Sequence, residues 1–320
     1  ERIALGQVLV ADFQLSTQAV ALEGLEVRVE SQPLIDTRQA GVVDRVNSIQ
    51  IESLPTNGRN FADFIALAPG VQVGVGDGSG GNLSLGGGRR GATNITIDGV
   101  DNNGTFFGGE ARGSDRIAFA YSIETVKEFQ VITNGYDVEF GNFTGGQVNA
   151  ITKSGTNEFQ GNAFFYRRDD SLLGDDFSGV PPGSFTSNQF GATLSGPIIR
   201  DKAHFLFSFD RQERVNPVFS QGAGPNREDL LPSELQRFVD IMQQTYGYDA
   251  SSEFGEFGQT NDQNAIFARV DWNVNDKNQL NVRWNFTDLL NENDRLSSNE
   301  GVSNAGNFEN EANSLAVNLK

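Results

Sequence analysis

The most regular feature of the chain is an alternation of apolar and other residues that begins near residue 158. In the segment HFLFSFD, Phe205, Phe207 and Phe209 occupy every second position. Because successive side chains of a strand point to opposite faces, the three rings lie on one face. The same period of two recurs in segments 159–166, 189–198, 266–274, 279–286 and 314–319. The pattern predicts six strands, each close to the length that a tilted transmembrane strand needs.

The connections between these six segments alternate between short and long. Short turns lie around 200–202 and 275–277, whereas the connections at 169–187, 216–263 and 288–313 are long. In an up-and-down barrel every second connection lies on the same rim, so the short turns share one rim and the long loops the other. Outer-membrane barrels have this arrangement, and a soluble sandwich has no reason to sort its loops by length.

Charged residues on the opposite face of these strands indicate which way the apolar face points. Arg269, Asp271 and Arg283 alternate with apolar neighbours and are predicted to face inward, and Ser208 is expected to face a lumen that water or another domain fills. The apolar face is then predicted to contact lipid through Phe205, Phe207, Phe209, Trp272, Val282 and Trp284. The alternative is a soluble β-sandwich that buries the rings in a core.

The long 216–263 connection contains a predicted helix. Ser233 and Gln236 form a capping box, and Gly247 is placed to end the helix. Its apolar stripe consists of Leu235, Phe238, Val239 and Met242. We expect this stripe to pack against the body of the loop.

Residues 37–157 lack the regular period of two and are predicted to form a compact α+β domain. A helix is expected after Asn60, with an apolar stripe that starts at Phe61, and Pro69-Gly70 is expected to stop it. Strands are predicted at 93–98 and 147–153, and Ser122–Thr133 reads as a short helical turn that runs into a strand.

The glycine-rich stretch 71–113 raises two chemical possibilities that its residues do not favour. A phosphate-binding loop opens a helix, whereas these glycines precede a strand. Asp98, Asp101 and Asn103 carry calcium-type ligands, but the glutamate that an EF-hand needs twelve residues after its first ligand is missing. Tight turns between short strands are the simpler interpretation, and no metal or cofactor is predicted.

Composition narrows the classes of partner. The net charge of −18 disfavours nucleic acid and anionic lipid surfaces. With no cysteine and one histidine, the chain has no disulfides, no thiolate metal site and no histidine-rich one. It has no apolar run long enough for a transmembrane helix, which leaves a closed barrel as the way to span a membrane.

The first residues alternate loosely. Residues 1–21 resemble the closing strands of an upstream β-sandwich, and residues 22–36 form an alternating segment and linker. Because Glu1 begins within a pattern and 314–320 still alternates, we expect the chain to be an internal fragment of a longer protein.

Four segments in order resemble TonB-dependent outer-membrane receptors, in particular the Oar-like group that carries a carboxypeptidase-regulatory-like domain. They are IESLPTNGRNFADFIALAPGV, GRRGATNITIDGVDNNG, SIETVKEFQVITNGYDVEFGNFTGGQVNAITKSGTNEFQGNAFFY and LSGPIIRDKAHFLFSFD. The resemblance implies a plug domain at 37–157, followed at 158–320 by the first antiparallel strands of a large transmembrane β-barrel, so that the fold is mostly β.

The resemblance also implies roles for particular residues. Leu25, Glu26, Val27, Arg28 and Val29 match the TonB box, which adds as a strand to the periplasmic domain of TonB. The alternative is that they form the last strand of the sandwich or a linker. Residues of the plug motif are Arg89, Arg90, Gly91, Asp98 and Gly99, and we interpret them as plug architecture.

The expected function is that of an outer-membrane transporter in a Gram-negative bacterium. It would bind an extracellular ligand, a peptide, protein or glycan by family analogy, and move it with energy transmitted by TonB. One alternative is a surface adhesin or structural barrel without active transport. Another is a secreted glycan-degrading hydrolase, but no motif nominates the pair of carboxylates that such an enzyme needs.

Overall fold

The structure is a computed structural model. It describes residues 43–54, 59, 61–73, 83–88, 92–103, 121–133, 145–175, 177, 179, 183–220, 232–294 and 301–319. Within these ranges no helix has the length and apolar character needed to cross a membrane.

The first part of the described chain, residues 43–152, is called the N-terminal domain below. Its strands are β1 Val43–Asn47, β2 Val71–Val73, β3 Leu83–Leu85, β4 Asn94–Ile97, β5 Val100–Asp101, β6 Val126–Ile132 and β7 Gln147–Thr152. Five of them form a sheet in the order β1-β6-β7-β4-β5, in which only the β4–β7 pair is parallel, and β2 and β3 pair separately.

Two short helices cover the core of this domain. Helix α2, Phe61–Ile65, confirms the expected helix, and Phe61, Phe64 and Ile65 are buried. It ends before Pro69 rather than at it. Helix α1, Ser48–Ser53, was not predicted, although Asn47 and Gln50 form a reciprocal capping box at its start. The core beneath includes Phe129, Val131 and Val148, which are inaccessible to solvent.

The second part, residues 160–319, is called the C-terminal sheet. It contains β8 Gln160–Asp169, β9 Thr186–Ile199, β10 Ala203–Ser220, β11 Gly255–Asn275, β12 Asn278–Asn291 and β13 Phe308–Leu319. The strands are antiparallel and neighbours in sequence are neighbours in the sheet, which confirms the six predicted strands.

The alternation of connections is also confirmed, but β10 and β11 are longer than predicted. Residues 216–220 and 255–263, expected to be loop, continue the ladder as far as the Ser220–Gly255 pair. The apolar residues there, Val218, Phe219 and Phe257, do not recur at every second position, so the hydrophobic period that marked the strand ends earlier than the strand itself.

The two faces of the C-terminal sheet differ sharply in burial. On the face that carries the apolar alternation, 44% of Phe207, 42% of Trp272 and 68% of Leu315 is exposed. On the other face, Ser208 and Asp210 are completely buried. We expected Ser208 to face a lumen filled by water or another domain, and its burial shows that this face of the sheet is covered.

The long connection between β10 and β11 contains helix α3, Pro232–Tyr246, which confirms the predicted helix. The predicted capping box is wrong, because the helix begins at Pro232 and Ser233 lies inside it. Gly247, with φ of +68°, follows it and donates its N–H to the carbonyl of Gln243. The stripe packs less completely than expected: Leu235, Val239 and Met242 are half-buried, and Phe238 is 46% exposed.

Candidate functional site

Asp98 of the N-terminal domain lies between two arginines of the C-terminal sheet. Its carboxylate is 2.5 Å from the Nη1 atom of Arg283 on β12 and 3.6 Å from that of Arg269 on β11. It also accepts hydrogen bonds from the backbone N–H and the hydroxyl of Thr152, at 2.8 Å each. Arg269 in turn donates to the Thr152 hydroxyl at 2.7 Å. One carboxylate thus joins two segments of the domain to two strands of the sheet.

Local backbone geometry presents this carboxylate. Asp98 and Gly99 have φ of +45° and +81° and form the two-residue turn between β4 and β5. Positive φ at both central positions is the geometry that Asp-Gly favours in a hairpin. The turn therefore places the Asp98 side chain at the edge of the domain, against β11 and β12.

This contact is more than a single ion pair, because two neighbouring arginines of the sheet share the carboxylate of Asp98. Arg269 and Arg283 are direct cross-strand partners, and like charges opposite each other destabilise a sheet. Asp271 compensates Arg269 at 2.8 Å. Arg283, whose side chain is only 5% exposed, also donates to the Ile97 carbonyl at 2.7 Å. The sheet therefore supplies excess positive charge that Asp98 of the other domain neutralises.

A second contact joins the domain to β10. The hydroxyl of Ser122 donates to the carboxylate of Asp210 at 2.8 Å, and the Gln189 side-chain amide on β9 donates to the same carboxylate at 3.2 Å. Asp210 is completely buried. Beside Ser122, Tyr121 is almost completely buried, and this burial, with the nearby Asp98 carboxylate, raises the pKa of its hydroxyl.

A third contact joins the domain to β8. Arg59 pairs with Glu124 within the domain, and its guanidinium lies over the rings of Phe164 and Tyr166, 4.6 and 4.9 Å from their centroids. Glu124 accepts a hydrogen bond from the Asn162 amide at 2.7 Å.

Glycine makes room for the ring beneath Arg59. A Cβ atom at Gly191 would approach the ring of Phe164 within 2.8 Å and the carbonyl oxygen of Phe209 within 2.4 Å. The close packing of Phe164 on β9 therefore requires a residue without a side chain at 191.

A cavity of about 850 Å³ lies beside this third contact. Helix α1 and Glu124 form one side of it, and Asn162, Tyr166 and Gln189 of the sheet form the other. The domain therefore contacts β8 through Arg59 and Glu124 but leaves space beside that contact, in front of parts of β8 and β9.

The calcium-type residues of the sequence are engaged elsewhere. Asp101 accepts hydrogen bonds from the backbone and side chain of Asn103, at 2.7 Å each, and Asp98 pairs with arginines. Among the described residues, no group of three or more histidine, cysteine or acidic side chains is arranged to hold a metal ion.

The predicted site residues have different outcomes. Asp98 and Gly99 lie at the first contact. The TonB-box residues 25–29, the upstream segment 1–21 and the arginine–glycine residues 89–91 lie outside the described residues, and those assignments stay predictions. The six residues assigned to lipid lie on the face opposite the contacts, either exposed or half-buried.

Sequence reasoning placed Arg269 and Arg283 on the inward face but missed their partners, as it missed Arg59, Ser122 and Asp210. Arg283 and Asp98 are 185 positions apart. No local pattern signals such a pair, and only the Asp-Gly turn indicated that position 98 was special.

Two families match this chain, one on each side of the contacts. Residues 36–148 match the family described as TonB-dependent Receptor Plug Domain, and residues 151–229 match an outer membrane beta barrel domain. The chain is thus similar to a TonB-dependent receptor plug over its N-terminal domain and to an outer-membrane barrel over the first part of its C-terminal sheet. The N-terminal domain is accordingly called the plug, and the C-terminal sheet the barrel wall.

A curated relative supports this assignment. The TonB-dependent transporter Oar of Myxococcus xanthus is 36% identical over 159 residues, which is 47% of this chain and 14% of that protein. The chain thus spans a small part of the length of that relative.

Solved structures have the same fold. The outer membrane transporter YddB of Escherichia coli has a TM-score of 0.57 at 15% identity, over 87% of this chain and 36% of that one. The ferric enterobactin receptor PfeA of Pseudomonas aeruginosa, in a mutant form, has a TM-score of 0.58 at 16% identity, over 88% of this chain and 38% of that one. These similarities confirm the predicted mostly β fold of plug and barrel strands.

The matches also decide two broader expectations. The outer-membrane barrel domain confirms the predicted localisation in the outer membrane. TonB-dependent receptors are transporters and receptors, which agrees with the expectation that the protein is not an enzyme.

Proposed function

We propose that the protein binds an extracellular ligand and moves it across the outer membrane with energy transmitted by TonB. The observation that carries this proposal is the chemistry of the contact between plug and barrel wall. Asp98, Ser122, Glu124 and Arg59 all make polar or cation–π contacts with the wall. When a polar contact opens, water can form hydrogen bonds with the groups that separate. Separating a large apolar interface instead exposes apolar surface to water at a high cost in free energy.

The energising partner would act on the segment before the plug. Residues Leu25–Val29 have the alternating form of a strand that adds to the edge of a partner sheet. A pull on this segment reaches the described plug at β1, which among the described strands pairs with β6 alone. Force is thus delivered to the edge of the plug sheet, near α1 and the cavity in front of β8 and β9.

The apolar face of the wall would contact membrane lipid. Phe205, Phe207 and Phe209 share that face with Trp272, Val282 and Trp284, and the exposed apolar surface continues from β8 to β13. Soluble monomers rarely expose contiguous apolar patches larger than a few hundred Å². This surface suits a hydrocarbon environment and supports a wall that spans the membrane.

An adhesin or structural barrel would share this wall but would not need a working TonB box. A pull-down with the periplasmic domain of TonB separates the two functions. We expect the full-length protein to be retained and the Val27→Pro variant to be lost, because proline removes a backbone N–H from the added strand. Ala21→Pro, outside the box, is the matched control. Equal retention of wild type and Val27→Pro, or no retention of either, contradicts the transporter function.

A further inference from the structure

We propose that Asn157 is a positioning residue that fastens the plug exit to the barrel wall. The plug exit is defined as residues 153–159, which connect β7 of the plug to β8 of the wall. Because of this fastening, a pull from TonB opens the plug at its β1 edge instead of moving the plug as one body. The inference rests on the proposed function and names the part of the chain that resists the pull.

The side chain of Asn157 bonds to the short turn between β9 and β10 through both ends of its amide. Its Nδ2 atom donates to the carboxylate of Asp201 at 2.6 Å, and its Oδ1 atom accepts from the Asp201 backbone N–H at 2.8 Å. The Nε2 atom of His204 lies 2.8 Å from the same oxygen, to which its N–H tautomer donates. One side chain of the plug exit is thus joined to the wall by three hydrogen bonds.

Gly155 allows the plug exit to lie directly on the backbone of the wall. A Cβ atom at this position would come within 2.3 Å of the carbonyl oxygen of Phe205 and within 3.0 Å of that of Gly196. Gly196 and Phe205 are cross-strand partners in β9 and β10. No side chain fits into so close an approach of two backbones, so any other residue at 155 must lift the exit from the wall.

The residue before the plug exit is held as well. Arg269 of the wall donates to the carbonyl of Thr152 at 3.2 Å and to its hydroxyl at 2.7 Å. A free segment as long as the plug exit could extend to roughly 24 Å. By holding this segment against the wall, the contacts at 152, 155 and 157 remove the slack that the plug would need to slide toward the periplasm as one body.

The order of strands in the plug sheet then determines which part yields first. The sheet has the order β1-β6-β7-β4-β5, the pull arrives at β1, and the fastening holds the end of β7. Strand β6 lies between these two points, whereas β4 and β5 lie beyond β7. Ser122 precedes β6, and Asp98 lies in the turn between β4 and β5. We therefore expect the contact of Ser122 with Asp210 to open while Asp98 keeps its place between the two arginines.

Two single-cysteine reporters in the full-length protein test this order. Ser122→Cys reports on the β6 side. Asn102→Cys reports on the β5 side, because Asn102 is only 4% exposed and lines a small pocket with Phe267 and Arg283 of the wall. Both are treated with a membrane-impermeant maleimide in energised cells, with and without TonB. We expect TonB to increase the labelling of Ser122→Cys and to leave Asn102→Cys unlabelled.

Releasing the plug exit should remove this difference. In Asn157→Ala, TonB should raise the labelling of Asn102→Cys by about tenfold or more, because the loss of each hydrogen bond shifts such an equilibrium several-fold. Gly155→Ala, which lifts the exit by steric conflict, should have the same effect. Thr156→Ala is the matched control: its hydroxyl donates to the Glu158 carbonyl within the exit at 3.0 Å, so its loss leaves the fastening in place.

The possible outcomes separate the fastening from the transporter function. Asn102→Cys that labels with TonB while the exit is intact, or that stays unlabelled in Asn157→Ala and Gly155→Ala, overturns the fastening. A rise in labelling that also occurs without TonB means that these variants merely loosen the plug, and it overturns the positioning role. Labelling of Ser122→Cys that does not depend on TonB contradicts the transporter function itself.

Discussion

Asp98 is the residue on which the contact between plug and wall depends most. Its left-handed backbone conformation costs little in an Asp-Gly turn, and in return the carboxylate reaches Thr152, Arg269 and Arg283. Arg269 and Arg283 oppose each other across β11 and β12. Removing one member of a buried ion pair strongly destabilises the folded protein, because the other charge stays buried without its partner.

Asp98→Asn should therefore lower the free energy of unfolding by about 3 kcal/mol, the lower end for a broken buried pair, since the Asp98 side chain is 19% exposed. Arg283→Gln should also be destabilising, and the double variant should be less destabilised than the sum of the single ones. Urea titration of the full-length protein gives all three values. Asp101→Asn, which removes a carboxylate bonded to Asn103 of the plug, is the matched control. Strict additivity of the two variants would mean that the residues are not coupled.

Glu253 joins the segment after α3 to the loop between β12 and β13, and this connection depends on pH. The hydrogen bonds from Tyr248 and from the Ser303 N–H lower the pKa of Glu253. Its stabilising effect is therefore complete above the ordinary glutamate pKa of about 4.3 and is lost as the pH falls through the lowered value. Hydrogen-exchange protection of the Ser303 amide should decrease over that acidic range. In the Glu253→Gln variant this decrease in protection with falling pH should disappear. If the decrease is unchanged in that variant, a group other than Glu253 causes it.

At the scale of elements, strand alternation carried most of the predictive information. It located all six wall strands because each has one apolar face, and loop length gave their order. Helix α1 was missed because six residues are too few to show a helical period. The Asn47–Gln50 capping box could nevertheless have been recognised in the sequence. The extensions of β10 and β11 were missed because their few apolar residues do not alternate regularly with polar ones. Hydrophobic patterning detects burial, and strands without an apolar face carry no such signal.

The candidate site was only partly predictable for a related reason. Alternation placed Arg269 and Arg283 on the inward face, and the Asp-Gly pair indicated a turn. The pairing of Asp98 with these arginines depends on how the plug docks, and the pairs Ser122–Asp210 and Glu124–Asn162 are equally long-range. Tertiary contacts of this kind leave no periodic mark in a single sequence.

Phe207 and Val215 provide a matched test of the apolar face. Both lie on the same face of β10, but Val215 lies beyond Arg211 and Glu213, the first charged residues on that face. Phe207→Arg should cost about 2–4 kcal/mol of folding stability in bilayers, as arginine does near the midplane, whereas Val215→Arg should cost about 1 kcal/mol or less. Urea titration in phosphatidylcholine liposomes measures both. Equal costs at the two positions would contradict a lipid boundary between Phe209 and Arg211.

On the scale of the whole molecule, the contacts join two parts, the wall and the plug. The wall strands pair continuously from β8 to β13, so the wall is held by backbone hydrogen bonds throughout. The plug has its own apolar core and meets the wall through three polar contacts, beside which Leu206, Ala265 and Phe267 on the inward face of the wall are also buried. Each part therefore has stabilising interactions of its own, which the proposed transport through the lumen requires if the contact between them opens.

Labelling of a cysteine at the plug–wall contact tests this division most directly. The chain contains no cysteine, so Ser122→Cys, at a position that is only 2% exposed and touches Asp210, introduces a single reporter. In energised cells that contain TonB, we predict that a membrane-impermeant maleimide labels this cysteine, and that labelling is lost without TonB or when Val27→Pro is added. Asp201→Cys, in an exposed turn, should label under every condition once the reagent reaches the periplasm. Labelling of Ser122→Cys that is the same with and without TonB would contradict a plug that TonB moves.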